Sequence, residues 1–136
     1  MSLVSLIYTS DAIGSVDVES ILSVTRRQNE TNSITGTLFF RADHFIQCLE
    51  GSREAVNQAY ARIMKDERHE NLLLLDYRDI CERSFPGWSM GYLPESSISQ
   101  PTLLKYSGSQ RFDPRQLGGE GCLRMLVELN QKVNTA

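Results

Sequence analysis

Phe45-Ile46-Gln47-Cys48-Leu49-Glu50-Gly51 reads as a buried β-strand with one primary amide set into it. Strand alternation puts Phe45, Gln47 and Leu49 on one face and Ile46, Cys48 and Glu50 on the other, so the glutamine shares its face with an aromatic ring and a leucine. A buried amide left without partners costs about 1–3 kcal/mol. Two kinds of partner answer that need: another protein side chain, or the flat polar edge of a ligand.

Working outward, the polar triplet Arg41-Ala42-Asp43 joins this strand to an earlier β-pattern over residues 34–40, as in a hairpin, and Gly36 inside that pattern marks a close backbone approach. Residues 3–9 form a first strand with Leu6 and Tyr8 on one face. Asp17 is placed to cap a helix through Val18, Ile21, Leu22 and Val24 that fades near Asn32 and carries Thr25, Gln28 and Asn29. Ser52 opens a second helix through Val56, Ala59, Tyr60, Ile63 and Met64, ending around residues 66–69, and residues 72–80 form a fourth strand. The order strand, helix, strand, strand, helix, strand predicts an α+β, ferredoxin-like βαββαβ fold with the first and third strands side by side at the centre. Tyr8 and Gln47 then stand on adjacent strands.

After the turn Ser84-Phe85-Pro86-Gly87, residues 88–93 read as an extra fifth strand with Trp88, Met90 and Tyr92 on one side. Beyond Pro94 the chain turns polar. A short helix around Leu103, Leu104 and Tyr106 and a longer one over 121–132, with Leu123, Leu126, Val127 and Leu129, are expected to cover the sheet face that carries Ile7, Ile46 and Cys48. The chain thus divides into residues 1–93 and a helical C-terminal cap, 94–136.

The 136 residues suffice for one such unit with its own core. A net charge of −3 and a pI near 5.4 provide no basic field for nucleic acid. No apolar run reaches membrane-spanning length, and the N-terminus enters a strand without a signal-peptide pattern, so a cytoplasmic protein is expected. Cys48, Cys81 and Cys122 lack metal or disulfide spacing and read as reduced, mostly buried thiols. With His44 in a hairpin turn as the only other histidine, His69 is not expected to bind metal.

Five strings recur in order: Leu6-Ile7-Tyr8-Thr9-Ser10, Asn32-Ser33-Ile34-Thr35-Gly36, the Phe45–Gly51 strand, Asp66-Glu67-Arg68-His69, and Arg83-Ser84-Phe85-Pro86-Gly87-Trp88-Ser89-Met90. With Asn29, they closely resemble the BLUF family of blue-light sensors using FAD over residues 1–93. Leu103-Leu104-Lys105-Tyr106-Ser107-Gly108 is similar to the cap of short cyanobacterial BLUF proteins that act through a protein partner. The resemblance implies a flavin enclosed by the sheet and its two helices: FAD, with FMN and riboflavin as alternatives bearing the same ring. By the same resemblance Asn29 holds the pyrimidine edge and Gln47 bridges the flavin and Tyr8. Ile21, Thr25, Phe45 and Ile63 pack the ring, while Arg62, Asp66 and His69 lie near the ring and ribityl chain. Arg27 reaches a phosphate, and Trp88 and Met90 carry the signal. Thr25 stands where serine is common in the family, and Gln28 where His or Asn is frequent.

Taken singly, each of these residues also has an ordinary reading. Tyr8 suits a core tyrosine, and Ile21, Thr25, Phe45, Ile63, Trp88 and Met90 suit core packing. Arg62 and Asp66 suit an i,i+4 ion pair, and Arg68 a solvated one. The sequence leaves open whether Trp88 or Met90 lies inward. The expected function is a non-enzymatic photoreceptor in which Tyr8 gives up an electron and a proton and Gln47 rearranges. The signal is expected to leave through the cap to a response-regulator-type or other signalling partner, from a homo-oligomer. Competing readings are a ferredoxin-like flavin-dependent reductase, an acylphosphatase-like hydrolase on the same scaffold, and an interaction module without a ligand.

Overall fold

The computed structural model describes residues 2–109 and 111–134, with Asn134 described by its backbone alone. Two capping side chains start the helices that the sequence marks. Asp17 accepts from the Ser20 amide at the head of α1 (Val18–Asn32), and Ser52 accepts from the Ala55 amide at the head of α2 (Arg53–Met64). The strands are β1 (Leu3–Ala12), β2 (Thr35–Arg41), β3 (His44–Ser52), β4 (His69–Ile80) and the short β5 (Gly91–Leu93). They form one sheet in the order β4-β1-β3-β2-β5. β1 and β3 are its antiparallel centre, and their register sets Tyr8 directly opposite Gln47. β2 and β3 pair as the expected hairpin, closely enough that a Cβ on Gly36 would sit 1.9 Å from the Cys48 carbonyl oxygen.

Alternation divides the sheet into two layers. On one face Val4, Leu6, Tyr8, Leu38, Phe45 and Leu49 pack with Leu22 of α1 and with Val56 and Ala59 of α2. On the other, Ile7, Phe39, Ile46 and Cys48 pack beneath the C-terminal cap: Leu103 of α3 (Gln100–Tyr106) and Cys122, Met125, Leu126 and Leu129 of α4 (Gly119–Asn134). Each fully buried Val, Leu, Ile, Phe or Met side chain among them contributes about 1.5–3 kcal/mol of apolar transfer free energy. Glu128 staples the two cap helices, accepting from Lys105 Nζ at 2.6 Å and Tyr106 Oη at 2.9 Å. Lys105 and then Tyr106 hold its carboxyl well down, at about 2.

Three expectations need correction. The fifth strand begins at Gly91 rather than at residue 88, because only from Gly91 does the chain pair with β2, in parallel. Trp88 and Met90 precede the ladder, so alternation does not govern them, and they enter opposite layers: Trp88 the cap side, Met90 and Tyr92 the helix side. His44 belongs to β3 rather than to the turn, with Nδ1 2.8 Å from Asp11 Oδ1. Cys48 and Cys122 are buried, but Cys81 is exposed. No helix among the described residues is long and apolar enough to cross a membrane.

Candidate functional site

The helix-side layer does not close completely. Between the sheet and the two helices lies a pocket of about 450 Å³, its open mouth included, lined by Tyr8, Ile21, Thr25, Leu38, Phe45, Gln47, Ile63, Asp66, Arg68 and His69. Four of these supply apolar walls: Ile21 from α1, Leu38 and Phe45 from the hairpin, Ile63 from α2.

Gln47 sits at the wall with its amide half used. Tyr8 Oη donates to its Oε1, and its Nε2 donates to the Met90 sulfur at 3.5 Å. Sulfur is a weak acceptor. An amide has two N–H groups and two carbonyl lone pairs, so among the described residues one strong and one weak partner leave hydrogen-bonding capacity unused beside the pocket. Burial, with smaller contributions from Tyr60 and Asp66, pushes the Tyr8 phenol far above its ordinary value. Tyr8 is therefore a neutral O–H donor at every working pH, and its ring packs 5.4 Å from that of Tyr60.

The polar rim is fixed by its own bonds. His69 Nε2 lies 2.7 Å from the Ile63 carbonyl, which can only accept, so this nitrogen carries the proton; Nδ1 then faces the Ser10 hydroxyl at 2.8 Å. Both ring nitrogens are engaged, and His69 meets the pocket through its ring. Asp66 is paired with Arg68, at 2.6 Å, and not with Arg62. The reason is local: α2 ends at Met64, so helical i,i+4 spacing no longer applies at residue 66. The Arg68 hydrogen bonds hold the Asp66 carboxyl below its usual range.

Other candidates lie apart from the lining. Asn29 is buried near the end of α1, but its Nδ2 donates to the Ser89 carbonyl at 2.6 Å. Arg27 is exposed on the outer surface of α1, and Arg62 is exposed on α2. Trp88 belongs to the cap-side layer. Conversely, Leu38 and Arg68 line the pocket without having been singled out for it. Leu38 was visible as the hairpin neighbour of Gln47, whereas Arg68 gave only the signal of a surface ion pair.

Flat apolar walls, a half-used amide and a protonated phenol fit a heteroaromatic ring with alternating donors and acceptors on its edge, as an isoalloxazine has. A family model described as "Sensors of blue-light using FAD" matches residues 3–91. Photoactivated adenylate cyclase subunit beta of Euglena longa is 31% identical over 102 residues, which are 72% of this chain and 12% of that protein. The blue light- and temperature-regulated antirepressor BluF of Escherichia coli K12 is 42% identical over 62 residues, 44% of this chain and 15% of that one. The chain thus spans a small part of the length of these curated relatives. The solved structure of BlsA in its photo-activated state superposes with a TM-score of 0.83 at 32% identity, covering 93% of this chain and 94% of that one. The chain belongs to the BLUF family, the sensors of blue light using FAD.

Proposed function

We propose that this chain binds FAD in the pocket beside Gln47 and acts as a blue-light switch whose moving part is the Gln47 amide. The observation that carries this reading is the relay from Tyr8 Oη through Gln47 to the Met90 sulfur, set in the pocket wall. FAD, when bound, supplies absorption of blue light and an excited state that accepts electrons. The chain's residues do the rest.

Tyr8 is the buried phenol that would give up an electron to the excited flavin, with its hydroxyl proton passing to the Gln47 oxygen that it already touches. That transfer reverses the bond, since Oε1 now carries the proton and donates to the Tyr8 oxygen, and it loosens the hold on the amide. Return of the electron, and of the proton from Oε1, restores the phenol, and an amide that turns before the Oε1 bond re-forms donates from Nε2 to Tyr8 Oη, an oxygen with lone pairs to accept it. Tyr8 is therefore satisfied in both arrangements. Met90 is not, since its sulfur accepts from Nε2 only in the arrangement of this structure. The two states differ in one strong bond exchanged and one weak bond lost, a gap small enough for light to shift the populations.

Asn29 holds the pyrimidine edge through Oδ1 while Nδ2 keeps Ser89, and Ile21, Thr25, Phe45 and Ile63 flank the ring. Arg62, Asp66 and His69 stand toward the ribityl chain. Arg27, exposed on α1 and outside the pocket lining, is the residue proposed to reach a phosphate, and FMN and riboflavin are alternatives that share the ring. The chain performs no catalysis of its own in this reading. Its signal passes from Met90 and Trp88 to the cap and on to a signalling partner of response-regulator type, from a cytoplasmic homo-oligomer. The absorption spectrum of the purified chain loaded with FAD tests the proposal. A small red shift under blue light that reverts in the dark supports it; rapid bleaching by a nicotinamide donor, without a photoshift, points to the reductase instead.

A further inference from the structure

The segment 88–90 has no ladder to hold it, since β5 starts only at Gly91. Three donors replace the ladder. The Gly36 amide donates to the Trp88 carbonyl at 3.0 Å, Asn29 Nδ2 to the Ser89 carbonyl at 2.6 Å, and Arg26 Nε to the Met90 carbonyl at 2.9 Å. The third of these anchors the residue whose sulfur accepts from Gln47. Arg26 does not itself line the pocket, though it shares a stripe of α1 with the buried Leu22 and Asn29, and it is not among the residues that the family resemblance brings forward. Its guanidinium bond to a carbonyl is charge-assisted, the stronger class of hydrogen bond.

We infer that Arg26 is a positioning residue for the light reaction: by fixing the Met90 backbone it aims the Met90 sulfur at Gln47 Nε2, and so sets how strongly the dark arrangement of the amide is preferred. This rests on the switch reading above. Because the sulfur bond exists in only one of the two Gln47 arrangements, loosening Met90 weakens that arrangement alone, and return from the lit state slows.

Arg26→Ala, Arg26→Lys, Met90→Ala and the double variant Arg26→Ala/Met90→Ala, each loaded with FAD, test the inference by dark-recovery kinetics after a blue flash. Arg26→Ala is expected to keep its flavin and its red shift and to recover about fivefold more slowly, the scale of losing one such hydrogen bond. Arg26→Lys, which keeps a cationic donor, restores part of the rate. In the Met90→Ala background Arg26→Ala adds no further change, a coincidence that general loosening of α1 would not produce. A recovery rate in Arg26→Ala that is unchanged or faster overturns the inference, as does an undiminished effect of Arg26→Ala without Met90. Absence of any photoshift in the unaltered chain is a different outcome, which defeats the switch reading itself.

Discussion

Gln47 and Cys48 are neighbours on one strand and face opposite layers, and the layers differ in kind. On the Cys48 side the sheet meets a filled apolar interior in which Cys122, Met125, Leu126 and Leu129 are fully buried. On the Gln47 side the same strands meet an open pocket, a half-used amide and a phenol. One layer is built to be stable, the other to hold a ligand, and the sheet keeps them apart. The segment 88–90 reaches both, with Trp88 and Met90 two residues apart on opposite sides. A signal that crosses the sheet has a covalent path there.

The sharpest way to break this contrast is Gln47→Leu, which keeps shape and removes the amide. It is expected to retain the flavin and lose the entire red shift; a shift of normal size would show that the amide is not the switch. Met125→Ala, in the other layer, should behave oppositely. It is expected to destabilise the fold by about 2–5 kcal/mol in urea unfolding, as large-to-small core changes do, while the flavin spectrum and photoshift persist. Loss of the photoshift in a folded Met125→Ala protein would mean that the layers are not separate.

A smaller gain in stability is expected from Thr37→Val. Thr37 lies on the cap side, and its buried Oγ1 has no hydrogen-bond partner among the described residues. Removing an orphaned hydroxyl without changing shape should raise stability by about 1 kcal/mol, and a fall would reveal a partner for it. The smallest effect is in the cap staple. The Glu128 carboxyl is held down at about 2, so its contribution is complete above the ordinary carboxylate value and is lost as pH falls through about 2. Unfolding compared at pH 5 and near pH 2 should show this loss in the unaltered chain, whereas Glu128→Gln should lack that part of the pH dependence.

Much of this architecture was legible because strand alternation and capping are local. Asp17 and Ser52 announced both helices, and period-two patterning placed Gln47 with Phe45 and Leu49. The paired strands set Tyr8 beside it. What escaped was decided by long-range contacts. The split of Trp88 from Met90 depends on where β5 joins β2, which no local pattern records. Arg26 reaches a carbonyl 64 residues away, and an arginine on a helix surface carries no mark of such a bond. The ordinary alternative for Asp66, an i,i+4 pair with Arg62, fails for a related reason: α2 ends two residues before Asp66. Within the pocket, residue types that bury polar capacity, Gln47 and Tyr8, stood out, whereas the ordinary hydrophobe Leu38 did not.

The most direct test of the Tyr8–Gln47 switch is the light-minus-dark absorption spectrum of Tyr8→Phe loaded with FAD, recorded beside the unaltered chain. The phenyl ring keeps the packing against Tyr60 and removes the hydroxyl that donates to Gln47. The expected result is bound flavin with no reversible red shift, next to a clear one in the unaltered chain. An intact red shift in Tyr8→Phe contradicts the switch.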